Sequence, residues 1–165
     1  MSEAWEIITP RWSYGSLPAR SAALYAQVLD QFDVEHCTRY LPANGLTHCN
    51  TYVWDATKAC GCEIPHWVYR DETSANGMCN WLSMHGTEHG WMKVDVDHAQ
   101  QRANAGFPVV ATWRNPGEGS GHIAMVRPSP ETGKLRITQA GAQNFADAPI
   151  SAGFGGLPVV FWSHD

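Results

Sequence analysis

The sequence predicts an α+β domain in which N-terminal helices pack on a C-terminal antiparallel β-sheet. Two observations lead there. Apolar residues recur at helical spacing through the N-terminal part of the chain, and after Gly106 the spacing changes to consecutive strand-like runs. The change of period marks a change of layer within one domain, because no repeat, low-complexity tract or linker divides residues 1–165.

The helices follow in order. "SLPARSAALYAQVLDQF" carries Pro18 where a first turn tolerates it, then Leu24, Val28 and Phe32 on one face. After a loop with Pro42, Asn44 and Gly45, Thr47 is the expected N-cap of a helix running to Ala59. Val53, Ala56 and Cys60 share one face of that helix, and Gly61 ends it. "TSANGMCNWLSMHG" is a short helix with Met78, Trp81, Leu82 and His85 as its apolar stripe and Gly86 as its stop. "VDVDHAQQRANAG" opens at Asp95 or Asp97 and closes at Gly106. The strands are "FPVVATW", "GHIAMVRP", "KLRITQAG" and "LPVVFWSH".

Composition narrows the function. At 44% apolar and 16% charged residues the chain is not disordered, and 165 residues bury a core without staples. A net charge of −5 with no basic stripe argues against a nucleic-acid binder. The opening "MSEAWEIITPRW" lacks a cationic start and a long apolar run, and no later stretch is long enough to span a membrane. The expectation is synthesis in the cytoplasm without a signal peptide. The eight tryptophans are read first as core and surface anchors, and the five cysteines (37, 49, 60, 62 and 79) as free thiols.

One hairpin places a histidine. Pro128, Pro130 and Thr132-Gly133 put a loop over residues 127–134, which pairs Val126 with Leu135, Ala124 with Ile137 and His122 with Gln139. A tighter turn would set His122 opposite Gln143 instead. Both registers keep the same parity, so a glutamine faces His122 in either, and Gln139 is favoured because Gly141 weakens the strand before Gln143. A polar pair at the sheet rim needs no more than water to satisfy it; a reactive partner changes its meaning.

Cys49 is that partner. It lies in the first turn of its helix, where unpaired N–H groups and the positive helix end favour thiolate. A first-turn cysteine, a strand histidine after glycine, and an amide facing that histidine are the parts of a cysteine hydrolase: nucleophile, base and orienting residue. Cys60 and Cys62 form a C-x-C without the spacing of a zinc knuckle; an irregular site of Cys60, Cys62, His66 and Cys79 is the metal alternative. Cys37 and Cys79 read as small buried hydrophobes. The reading assigns no metal and no cofactor.

"CN-x-x-V" opening a helix, "GHIAMV" on a strand and "ITQAG" on the next resemble the papain-like amidohydrolases and peptidases of the CHAP and NlpC type, over roughly residues 40–143. The resemblance implies a papain-like fold with Cys49 as nucleophile, His122 as base and Gln139 as third residue. It also implies a substrate class, an amide bond in bacterial cell-wall peptides. Tyr40, nine residues before Cys49, would be an oxyanion donor by the same likeness, or else a ring packed beneath the helix. Trp113 would wall the substrate groove or belong to the core, and Asn50 would position the helix start or touch substrate. The chain departs from the family in having Gln at the third position and no acidic calcium loop in "YLPANGLTHC", so calcium is not expected.

The expected role is a monomeric wall hydrolase, from a phage or injected as an effector, acting after lysis, injection or dedicated secretion. It carries no separate wall-binding domain and has no membrane partner. An effector would need a cognate inhibitor protein. The alternatives are a papain-like protease, deamidase or acyltransferase on another substrate, and a zinc-stapled binding module without activity.

Overall fold

The computed structural model describes residues 6–14, 19–131 and 134–165. It contains α1 (Ala22–Asp30), α2 (Cys49–Ala59), a two-strand hairpin β1 (Trp67–Val68) and β2 (Asp71–Glu72), and α3 (Ala75–His85). Then come β3 (Trp91–Val94), α4 (Val96–Asn104), β4 (Val109–Trp113), β5 (His122–Arg127), β6 (Arg136–Gln139), β7 (Phe145–Pro149), α5 (Ile150–Phe154) and β8 (Val160–His164). The main sheet has six strands in the order β3-β8-β4-β5-β6-β7, and every neighbouring pair is antiparallel. The class is α+β. Among the described residues no helix is long and apolar enough to cross a membrane.

The sheet holds two strands beyond the four expected, β3 and β7. β8 returns from the chain's end to lie between β3 and β4, so the strands are not simply sequential in space. β3 and β7, the two edge strands, carry too little apolar alternation to announce themselves. β7 reads Phe-Ala-Asp-Ala-Pro, and Pro149 is tolerated there because an edge strand leaves one row of N–H groups unpaired.

Caps set the helix limits. Ser21 accepts from Leu24 N–H at the start of α1, Ser74 from Gly77 N–H at α3, and Asp95 from His98 N–H at α4. Buried Tyr25, Val28 and Leu29 form the α1 stripe, while Leu24 is half-buried and Phe32 lies beyond the helix; Pro18 is outside the described residues. The expected cap Thr47 is displaced. His48 holds the N-cap position of α2 without a side-chain bond, and Cys49 is the first helical residue. Gly86 does not stop the chain's winding either: a 3₁₀ turn runs over Gly86–His89 and ends at Gly90 with φ 84°. His85 is exposed rather than part of the α3 stripe, which is Ala75, Met78, Cys79 and Leu82.

The β5–β6 register falls between the two expected ones. Val126 pairs with Ile137 and Met125 with Thr138, so continuing the ladder sets His122 opposite Gly141 and Ala124 opposite Gln139. The loop is therefore shifted from the predicted fold-back, and its centre, Thr132-Gly133, lies outside the described residues. Parity is preserved, so His122 and Gln139 still share a face.

The helices and the sheet enclose one core. Arg127 binds Asp30 at the end of α1 (Nη1–Oδ1 2.8 Å), and the Tyr52 hydroxyl of α2 lies beside Thr138 and Arg127. These contacts put α1 and α2 on the Ile123–Met125–Arg127 side. The His122 side is covered at this end of the sheet by α5, whose Phe154 ring centroid lies 4.7 Å from that of His122. Helix α2 is buried on almost every side, down to Thr51, Asp55 and Thr57. Each fully buried aliphatic side chain of this core contributes about 1.5–3 kcal/mol.

Candidate active site

Helix α2 brings Cys49 to the start of β5. Its sulfur lies against the backbone N–H of Ile123, the residue after His122, and near the N–H groups of Asn50 and Cys49 itself. The side chain is buried, with 5% of its surface exposed. Burial raises the thiol's pKa above the usual range, and the three N–H groups pull it back only in part. The helix start favours the anion, but desolvation outweighs it, and the resting group is a neutral thiol.

His122 opens β5. Its Nε2 stands 2.8 Å from Gln139 Oε1, and the Gln139 Nε2 donates to the Gln143 carbonyl at 2.9 Å. The Gln143 carbonyl accepts only, so the amide is oriented with its oxygen towards the ring. The Nε2 of His122 must then carry the proton, and Nδ1 keeps its lone pair. Burial lowers the His122 pKa, and the Gln139 bond opposes this in part, so the ring is neutral at pH 7. Both glutamines weighed from sequence thus take part: Gln139 by its side chain and Gln143 by its backbone.

Two glycines make room for this pair. A Cβ on Gly141 would come within 3.4 Å of His122 Cε1 and 3.3 Å of Gln139 Nε2. A Cβ on Gly153 of α5 would collide with Gln139 Oε1 and meet Ile137 Cδ1 at 2.8 Å. Sequence reasoning passed over Gly153 and Phe154 because a five-residue helix after an edge strand has no clear period.

The loop from Trp113 to His122 is latched by α3. Asn76 accepts from Asn115 N–H (2.9 Å) and donates to Gly119 O (3.1 Å), while Asn80 accepts from Arg114 Nε (2.8 Å). Asn76 and Asn80 lie one helical turn apart, so a single helix edge holds both ends of the loop that delivers His122.

The remaining predicted residues fall in three places. Trp113 is the direct cross-strand partner of His122, half-buried on the same side of the sheet. Asn50 donates to Thr73 O (3.0 Å) and reaches Glu72 Oε1 (3.5 Å), tying the start of α2 to the hairpin before α3. Tyr40 does not supply an oxyanion donor. Its hydroxyl donates to Asp55 Oδ2 (2.7 Å), which also receives Arg39 Nε (2.8 Å), in a network buried beneath α2. Asp55 lies about 9 Å along the helix axis from Cys49, at 1.5 Å per residue. The buried Asp55 carboxylate thus accepts from both the Arg39 guanidinium and the Tyr40 hydroxyl.

The cysteines of the metal alternative do not converge. Cys60 and Cys62 are buried where α2 ends, His66 stacks on Trp54 at 4.7 Å, and Cys79 sits in α3 beside Thr112 and near Cys49. Among the described residues no group of three or more His, Cys, Asp or Glu is placed to hold a metal ion.

Compared with protein-family models and with curated proteins, the chain matches none.

Proposed function

We propose that this protein is a cysteine-dependent amide hydrolase of papain-like type, of the CHAP and NlpC kind, cleaving an amide bond in bacterial cell-wall peptides as an amidase or endopeptidase. The observation that carries the chemistry is the oriented chain Gln143–Gln139–His122, with the sulfur of Cys49 one peptide unit away at Ile123. A histidine held in one tautomer and neutral at pH 7 can serve as a base, and a thiol is what such a base activates.

In the first step His122 Nδ1 takes the Cys49 proton as the sulfur attacks the scissile carbonyl carbon. The oxyanion forms at the start of α2, where the Cys49 N–H is unpaired by the helix and available to donate. The imidazolium then gives its proton to the leaving amine nitrogen, the C–N bond breaks, and the acyl group remains on sulfur. Water, deprotonated by the neutral imidazole, attacks the thioester; the acid leaves and the thiol recovers its proton. Gln139 keeps Nε2–H fixed through both halves and adds no charge.

The wall substrate rests on the resemblance of "CN-x-x-V", "GHIAMV" and "ITQAG", read in that order. Purified muropeptides test it. After incubation, mass spectrometry of the products should show addition of one water with a new amine and a new carboxyl group at a single bond. Intact muropeptides beside a cleaved protein substrate would move the proposal to a protease or deamidase.

A further inference from the structure

A groove of about 340 Å³ lies between the β1–β2 hairpin and α3. Val68, Tyr69, Trp81 and Met84 supply its apolar walls, and Asp71 and Glu72 its charge; His85 also lines it. Among the described residues its lining includes neither lysine nor arginine. A volume of this size accommodates one long side chain with its flanking backbone.

Large apolar groups are held open to solvent here. Tyr69 exposes 99% of its surface and Met84 71%. Tyr69 also adopts φ 58°, a left-handed conformation that a bulky residue rarely takes. The hairpin that imposes it is rigidly backed. His66 stacks on Trp54 of α2 at 4.7 Å and 21°, and its Nε2 lies 3.1 Å from Glu72 Oε1. The groove is also fastened to the nucleophile's helix, because Asn50, the residue after Cys49, bonds to Thr73 and reaches Glu72.

We propose that this groove binds a peptide side chain that ends in a protonated primary amine on an alkyl stem. The stem lies against Tyr69, Trp81 and Met84, and the ammonium group faces Asp71 and Glu72. Aromatic faces and carboxylates both attract such a cation, and the described lining holds no lysine or arginine to oppose it; Arg70 of the hairpin turn is exposed and outside the lining. The role of the groove as a substrate subsite rests on the proposed amide hydrolase; its affinity for the amine does not.

The test uses Cys49→Ala protein, so that binding is read without turnover. The probe is Nα-acetyl-L-Ala-D-isoglutaminyl-L-Lys amide, whose one charge is the side-chain ammonium, compared with its Nε-acetyl form by calorimetry and amide NMR shifts. Nε-acetylation should weaken binding about tenfold, with shifts confined to Val68–Glu72 and Trp81–His85. Tyr69→Gly, which suits the left-handed backbone, should weaken the amine form about fivefold at unchanged melting temperature. Asp71→Asn should shrink the preference for the free amine. Equal affinity for both probes, no binding of either, or shifts elsewhere would each overturn the inference. Should the protein leave wall peptides uncut yet still prefer the free amine, the proposed activity fails and the amine site stands.

Discussion

His122 Nε2 and Gln139 Oε1 meet at 2.8 Å although the strand register does not pair the two residues across the ladder. Gln139 reaches diagonally, and the Gln143 carbonyl holds its amide from behind. The tautomer of the base is thus set by a chain of two hydrogen bonds, each worth about 1 kcal/mol net. Gln139→Ala should lower kcat about 10- to 100-fold while the fold persists, because Nδ1 would then carry the proton in part of the population. Steady-state kinetics, with ¹⁵N shifts of His122 reporting the tautomer, check this; an unchanged tautomer with unchanged kcat would remove Gln139 from the account.

Gly153→Ala probes the same contact from the other side. Alanine is the better helix former by about 1 kcal/mol, so the helix itself gains. Its Cβ would nevertheless strike Gln139 Oε1. Activity should fall about tenfold with little loss of melting temperature, a combination that a purely structural glycine would not produce.

Tyr40→Phe separates stability from catalysis. The Tyr40 hydroxyl serves the buried Arg39–Asp55 pair, so its removal should cost about 1–3 kcal/mol in urea unfolding and leave kcat near wild type. Asp55→Ala should cost about 3–5 kcal/mol, since it removes the carboxylate that neutralises the buried Arg39 guanidinium. A kcat loss for Tyr40→Phe beyond about tenfold would restore the oxyanion role that its hydrogen bond argues against.

Stability should fall as pH drops below neutrality. His122 and His66 are both held below the usual 6.5 by burial. Below about 6.5 the unfolded chain takes up protons that these rings resist, and the loss grows until their lowered folded values are passed, at up to about 1.4 kcal/mol per pH unit for each ring. His36, raised by Asp33 at the surface, has the opposite sign. His66→Phe keeps an aromatic ring on Trp54 and removes one titration, so its melting temperature should decline less steeply between pH 7 and 5. The low His122 value also keeps the base neutral at pH 7, placing the acid limb of kcat/KM below 6.5.

The sequence disclosed the strong periods and the face shared by His122 and Gln139. Parity survives any two-residue slip, so the glutamine reached the histidine although the register was misplaced. Thr47 misled because a capping residue type does not say at which residue winding begins, and here tertiary ties from Asn50 set the start. The Cys49 thiol's protonation was not legible, since helix position is local and burial is global. Edge strands β3 and β7 and the five residues of α5 carry almost no period, so the glycine that seats Gln139 was invisible.

The sulfur of Cys49 is the proposed nucleophile. Wild type and Cys49→Ala, matched in melting temperature, are incubated with purified sacculi, and the released fragments are separated by mass and quantified over time. Wild type should release fragments, and Cys49→Ala should lose at least about 10³-fold of that release, as removal of a covalent nucleophile requires. Equal release by both proteins would contradict it.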